Sequence, residues 1–145
     1  MSATSSGKRF EAVEVGESLG PHEFVIDKAR AREYAAACGM DSGRFHDDES
    51  ARAEGLPGMI IPGNFSLGLL SKLVTDWLGA GPGRLSRIGT TYRAIVFPER
   101  RLALHGFVTH LESAARTVEI DVWIENEDGE RPVIGTATVS FPPGD

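Results

Sequence analysis

Asp41 and His46 are the two side chains of this sequence best suited to move a proton. A carboxylate can hold a water molecule or orient an imidazole, and proton transfer by such groups is typically worth about 100- to 10,000-fold in rate. Both residues follow a predicted helix stop at Gly39, in a polar loop where they could reach one another. A structural role is the alternative, because an aspartate after a helix often caps a turn and His46 precedes the start of another helix.

Two predicted helices flank this loop. The first, Lys28–Cys38, is rich in Ala and Arg and begins behind Asp27, a good N-cap residue. The second, Asp47–Glu54, opens with acidic residues, which the dipole at a helix N-terminus favours. Residues 56–62 then contain two prolines and a glycine, which excludes regular structure. The loop therefore lies between two helices and leads into an irregular passage.

The strongest periodic signal follows Gly63 and predicts a long helix that ends at Leu78. Its apolar residues form two adjacent rows: Phe65, Leu69, Leu73 and Trp77 in one, and Leu70, Val74 and Leu78 in the other. So broad an apolar surface must be buried. The run Gly-Ala-Gly-Pro-Gly at 79–83 ends the helix.

Beyond the long helix the period of apolar residues becomes two, which is typical of half-buried strands. Four strands are predicted there: 86–97, 102–111, 117–124 and 133–141. An Asp-Gly turn at 128–129 predicts that the last two form a hairpin. Earlier in the chain, 10–15 and 23–26 are expected to be extended. The pattern indicates an α+β domain whose curved antiparallel sheet wraps around one long helix, with an open sheet edge that dimerisation could extend.

Composition narrows the function classes. The 145 residues are 41% apolar and 25% charged, as expected for one domain at 10–145 after a disordered terminus at 1–9. A net charge of −6 disfavours nucleic acid and anionic membrane as partners, and no apolar run reaches the roughly 18 residues of a membrane helix. One cysteine, Cys38, and the lack of a secretion signal favour the cytoplasm. Cys38 is expected to be a small buried residue.

Four passages of the chain are similar to one enzyme family. Residues 38–48, Cys-Gly-Met-Asp-Ser-Gly-Arg-Phe-His-Asp-Asp, resemble the Gly-Asp-x-Asn-Pro-x-His-x-Asp segment of MaoC-like hot-dog-fold enzymes. These enzymes are (R)-specific enoyl-CoA hydratases and (3R)-hydroxyacyl-ACP dehydratases. Residues 53–63, 92–98 and 134–139 also resemble the family, so the likeness runs from Phe10 to Pro142.

The resemblance implies the hot-dog fold and the reversible syn addition of water to a trans-2-enoyl thioester. Asp41 and His46 would hold the water as general base and general acid, while backbone N–H groups at Gly63 and Asn64 would bind the thioester oxygen. The apolar helix face would line an acyl tunnel, and the substrate would be an acyl-CoA or acyl-ACP. A homodimer is implied, with a heterodimer or a dimer of dimers as alternatives, and no metal or cofactor is required.

Three departures from the family segment leave alternatives open. The family usually has Asn at Gly43, Pro at Arg44 and His-Gly-Met at 62–64, where this chain has Pro-Gly-Asn. Gly43 removes a bracing side chain and is expected to add flexibility, while Arg44 could meet a substrate anion or be solvated. A subunit that binds acyl thioesters or a partner chain without catalysis is therefore a second hypothesis. A hot-dog thioesterase is a third, although Asn64 supplies no carboxylate at the long helix.

Overall fold

The computed structural model describes residues 7–144. Over that range it contains three α-helices and five strands: α1 Lys28–Ala37, α2 Asp48–Ala53, α3 Gly63–Leu78, β1 Ser18–Val25, β2 Arg84–Tyr92, β3 Arg101–Glu112, β4 Thr117–Asn126 and β5 Val133–Ser140. Two 3-10 turns lie at Phe10–Ala12 and Gly43–Phe45. None of the described helices is long and apolar enough to cross a membrane.

The five described strands form one antiparallel sheet in the order β1-β3-β4-β5-β2. The predicted hairpin of β4 and β5 is confirmed, with Ile124 opposite Val133. On the other side of β5, β2 pairs Tyr92 with the same Val133. Consecutive strands β2 and β3 are therefore not neighbours, and β1 and β2 form the two edges of the sheet.

Helix α3 packs on one face of this sheet and contacts β1, β2, β3 and β4. One of its two apolar rows is fully in the core, since Leu70, Val74 and Leu78 are at most 3% exposed. Burying a side chain of this size contributes about 1.5 to 3 kcal/mol. The other row is only partly covered, because Phe65, Leu69 and Trp77 are half-buried. One long helix against an antiparallel sheet confirms the predicted α+β class.

Several predicted boundaries were wrong. Strand β1 begins at Ser18 rather than at residue 23, because an edge strand tolerates the register shift between Leu19 and His22 around Gly20-Pro21. Strand β2 ends at Tyr92, and the residues after it leave the ladder, with Arg93 N–H donating to the Pro132 carbonyl at 2.8 Å. Residues 10–12 form a 3-10 turn instead of an extended segment.

Two further predictions concern the chain terminus and Cys38. Residues 1–6 of the terminus predicted to be disordered lie outside the described residues. Within the rest of it, Lys8 N–H donates to the Leu78 carbonyl at 2.8 Å, and the Lys8 ammonium pairs with Glu17. Cys38 is exposed rather than buried, because it is the C-cap of α1 and lies beyond the last turn that packs.

Candidate active site

The loop that carries Asp41 and His46 is shaped by backbone hydrogen bonds at both ends. Met40 N–H donates back to the Ala35 carbonyl at 2.8 Å, which fixes the exit from α1. The 3-10 turn at Gly43–Phe45 is closed by His46 N–H, which donates to the Gly43 carbonyl at 2.9 Å. Asp41 and His46 therefore lie on the two sides of one tight turn.

The His46 side chain has a fixed orientation. Its ring Nε2 lies 3.0 Å from the Met40 carbonyl oxygen. A carbonyl oxygen only accepts, so this contact assigns a proton to Nε2 and leaves Nδ1 as the ring atom that can gain or lose one. Arg32 Nη1 also donates to the His46 carbonyl at 3.0 Å, which ties the residue to α1. His46 thus offers Nδ1 as its reactive atom.

The Asp41 side chain is exposed. Within residues 7–144 its carboxylate forms no hydrogen bond or ion pair, and this includes His46. The structure therefore brings Asp41 and His46 into one loop without joining them directly. A carboxylate without a protein partner can accept from a water molecule, and catalytic hydrogen bonds often tighten only when substrate is bound.

Helix α3 starts with unpaired donors. Pro62 is its N-cap and provides no capping side chain, and among the described residues no acceptor bonds the N–H groups of Gly63 and Asn64. Such groups, at the positive end of the helix dipole, suit an oxyanion. A Cβ on Gly63 would lie 3.0 to 3.3 Å from ring carbons of Tyr92, so glycine permits the close approach of that ring.

Two cavities lie against α3. One, of about 430 Å³, lies between β1 and the half-buried row of α3, and its apolar lining includes Leu19, Phe24, Phe65, Leu69 and Trp77. The other, of about 450 Å³, lies on the β2 side, and its lining includes Phe45, Gly63, Ser66, Tyr92 and Ile95. Neither cavity is lined by Asp41 or His46. Phe45, the residue before His46, connects the loop with the second cavity.

Asp48 joins the loop to the passage that leads into α3, a role that sequence reasoning missed. Its Oδ1 accepts from Met59 N–H at 2.8 Å and its Oδ2 from Lys28 Nζ at 2.8 Å. The Lys28 hydrogen bond holds the pKa of the Asp48 carboxyl below its usual value, with a further contribution from Met59 N–H. An acid at a helix start looks like a solvated cap, and the signal that could have found this role is the final Asp of the family segment, whose place Asp48 takes.

The adjacent His46, Asp47 and Asp48 do not converge on one point. Asp47 caps α2, accepting from Ser50 N–H at 2.6 Å, while Asp48 faces Lys28 and the His46 ring faces Met40. Across the described part of the chain, no group of three or more His, Cys, Asp or Glu side chains is arranged to hold a metal ion.

The unusual loop residues Gly43 and Arg44 are both explained by contacts with α2. A Cβ on Gly43 would lie 2.5 Å from the Cβ of Ser50, so no side chain fits there. Close packing against α2 accounts for the glycine at this position. Arg44 is exposed to solvent, as one alternative expected, and its Nη2 lies 2.6 Å from Glu54 Oε1.

Tyr34 connects α1 to the start of α3. Its ring packs against Phe65 with ring centroids 4.5 Å apart. Burial raises the pKa of the Tyr34 phenol, and the neighbouring Cys38 thiol adds to the shift. The aromatic pair fixes how the first helix lies against the candidate oxyanion donors.

Comparison with known proteins gives one family and a set of similar structures. The family described as FAS1-like, dehydratase domain region, matches residues 13–139. No curated protein matches the chain. Similar solved structures include an (R)-hydratase from A. caviae involved in PHA biosynthesis, with a TM-score of 0.83 and 20% identity over 91% of this chain and 99% of that one.

Two other structures are similar at the same level. A MaoC-like dehydratase has a TM-score of 0.85 and 23% identity over 94% of this chain and 43% of that one. A chain of the ChsH1-ChsH2 complex from Mycobacterium tuberculosis has a TM-score of 0.79 and 22% identity, covering 89% of this chain and 98% of that one. At these identities the structural likeness establishes the fold.

Proposed function

Since the chain belongs to the FAS1-like dehydratase-region family and has the MaoC-like hot-dog fold, we propose that it catalyses reversible syn hydration of trans-2-enoyl thioesters to (3R)-hydroxyacyl thioesters. One observation carries the proposal. Ile60 N–H donates to the Arg44 carbonyl at 3.0 Å, which joins the loop bearing Asp41 and His46 to the segment that enters α3. The acid–base pair and the unpaired N–H groups of α3 therefore belong to one connected unit.

In the hydration direction, a water molecule is held between the Asp41 carboxylate and the His46 ring. Asp41 accepts a proton from the water while the water oxygen bonds to C3 of the enoyl group. The electrons of the double bond move to the thioester oxygen, whose negative charge is stabilised by the N–H groups of Gly63 and Asn64. His46, acting as general acid in its doubly protonated form, then gives its Nδ1 proton to C2 from the same face, which makes the addition syn. Asp41 passes the proton that it took from the water to Nδ1, so both groups return to their starting states. Dehydration is the reverse.

The apolar cavity beside β1 suits the acyl chain of the substrate. Three half-buried side chains of α3 line this cavity: Phe65, Leu69 and Trp77. Part of the broad apolar face of α3 is therefore available to a ligand. An acyl group carried by CoA or by an acyl carrier protein would fill this space and exclude water from the reacting carbons.

A dimer formed through the β2 edge fits the exposed apolar residues at that edge. Tyr92 at the end of β2 is 48% exposed and Ile95 beyond it is 41% exposed. Both also line the cavity at Gly63, so a partner chain seated there would close that cavity. The partner would be a second copy or a related chain, as in the heteromeric ChsH1-ChsH2 complex.

A second candidate function is that of an acyl-thioester-binding or partner subunit without catalysis. The observation that favours it is the position of Asp41 and His46, neither of which lines the two cavities at α3. A thioesterase is less well supported, because the start of α3 carries Asn64 and no carboxylate.

One assay separates these functions. Purified protein is mixed with trans-2-butenoyl-CoA and longer homologues, and both enoyl absorbance and free thiol are followed. The proposed hydratase removes the enoyl absorbance without releasing thiol, and chiral analysis finds the (3R)-hydroxyacyl product. Thiol release would instead identify a thioesterase. Binding of acyl-CoA with neither change would identify a binding subunit.

A further inference from the structure

An ion pair connects the turn at Gly43–Phe45 to the end of α2. Besides the contact between Arg44 Nη2 and Glu54 Oε1 at 2.6 Å, Arg44 Nε donates to Ser42 Oγ at 3.1 Å. Ser42 Oγ in turn donates to Glu54 Oε2 at 3.4 Å. Guanidinium, carboxylate and hydroxyl thus form a closed ring of contacts, which we call the Ser42–Arg44–Glu54 clamp.

The clamp acts on the less restrained side of the turn. On the His46 side, the ring, the carbonyl and the N–H group all have partners in the described chain. On the Asp41 side, no backbone hydrogen bond is formed by Asp41 within residues 7–144, and Ser42 is the next residue along. Apart from the Ser42 carbonyl, which accepts from Phe45 N–H at 3.1 Å, Ser42 is held by Arg44 and Glu54.

We propose that Ser42, Arg44 and Glu54 are positioning residues that set the distance between the Asp41 carboxylate and His46 Nδ1 so that one water molecule can bridge them. This inference rests on the proposed hydratase function. In this proposal the clamp acts on the reaction only through the position of Asp41. Since a small misplacement of a catalytic group can cost up to about 100-fold in rate, its loss should appear in kcat.

The clamp should contribute little to the global stability of the protein. The Arg44 and Glu54 side chains are 44% and 35% exposed, and ion pairs this exposed to solvent stabilise a fold only slightly. Positioning and folding can therefore be measured apart in the same variants.

The test compares two clamp variants, Glu54→Gln and Arg44→Leu, with the control Glu11→Gln. The control weakens another surface ion pair, in which Glu11 Oε2 lies 2.7 Å from Arg116 Nη1. For both clamp variants we expect kcat on trans-2-butenoyl-CoA to fall by about tenfold, with KM nearly unchanged and Tm equal to that of wild type. Combining Arg44→Glu with Glu54→Arg should restore part of the rate. The control should keep full activity.

A measurement without substrate accompanies the kinetics. Hydrogen exchange of the peptide covering residues 38–48 should be faster in Glu54→Gln than in wild type and unchanged in Glu11→Gln. Wild-type rates in both clamp variants, or a rate loss matched by a loss of Tm, would overturn the positioning role. An inactive wild-type protein would overturn the proposed function and, with it, the role of the clamp in catalysis.

Discussion

Helix α3 and the segment of residues 38–62 that precedes it are stabilised by opposite kinds of interaction. In α3, Leu70 and Val74 are completely buried and pack against the sheet through contacts that have no preferred direction. In the preceding segment, charged and polar groups such as Asp48 and Arg44 each meet particular donors or acceptors. The helix thus provides stability, while the segment provides the geometry on which the candidate chemistry depends.

Neighbouring leucines of α3 test the first half of this comparison and should show the largest effect on stability. Leu70→Ala removes a completely buried side chain, so the free energy of unfolding should fall by about 2 to 5 kcal/mol. The matched control is Leu69→Ala, which makes the same chemical change on the cavity side and should cost clearly less. Urea denaturation measures both. Equal losses would contradict the described difference in burial between the two apolar rows of α3.

Asp48 tests the polar half of the comparison with an intermediate effect. Asp48→Ala leaves the N–H group of completely buried Met59 without its acceptor, which should cost about 1 to 3 kcal/mol of unfolding free energy. Asp48→Asn keeps an oxygen for Met59 and loses only the charge that faces Lys28, so its cost should be smaller. If the two variants were equally stable, the hydrogen bond from Met59 N–H to Asp48 would not be the contact that contributes to the free energy of unfolding.

The pH dependence of stability should show the smallest effect. The pKa of Asp48 is lower in the folded state than in the unfolded state, chiefly because of the Lys28 hydrogen bond. The unfolded state therefore binds more protons in acid, so this contribution is present above about pH 4 and is lost as the pH falls through the folded pKa. As the pH is lowered from roughly 6 to 3, the Tm of Asp48→Asn should decrease less steeply than the Tm of wild type. Parallel curves would contradict this.

The same contrast explains what the sequence could predict. Apolar residues recur about every 3.6 residues along a helix and every two residues along a strand. Because these patterns repeat along a whole element, α3 and the hairpin of β4 and β5 were predicted correctly. Strand order is not contained in any local period, and for that reason the placement of β2 beside β5 was not foreseen. Resemblance to a family motif directed attention to Asp41 and His46. The pairing of Arg44 with Glu54 could not be predicted, because it joins a turn to a helix end and follows no spacing rule.

Rates of enoyl-CoA hydration in Asp41→Asn and His46→Gln test the proposed chemistry most directly. Both variants should lose about 100- to 10,000-fold in kcat relative to wild type. For Asp41→Asn the Tm should not change, because the Asp41 side chain is exposed and makes no hydrogen bond or ion pair within the described chain. Full activity in either folded variant would contradict the role assigned to that residue.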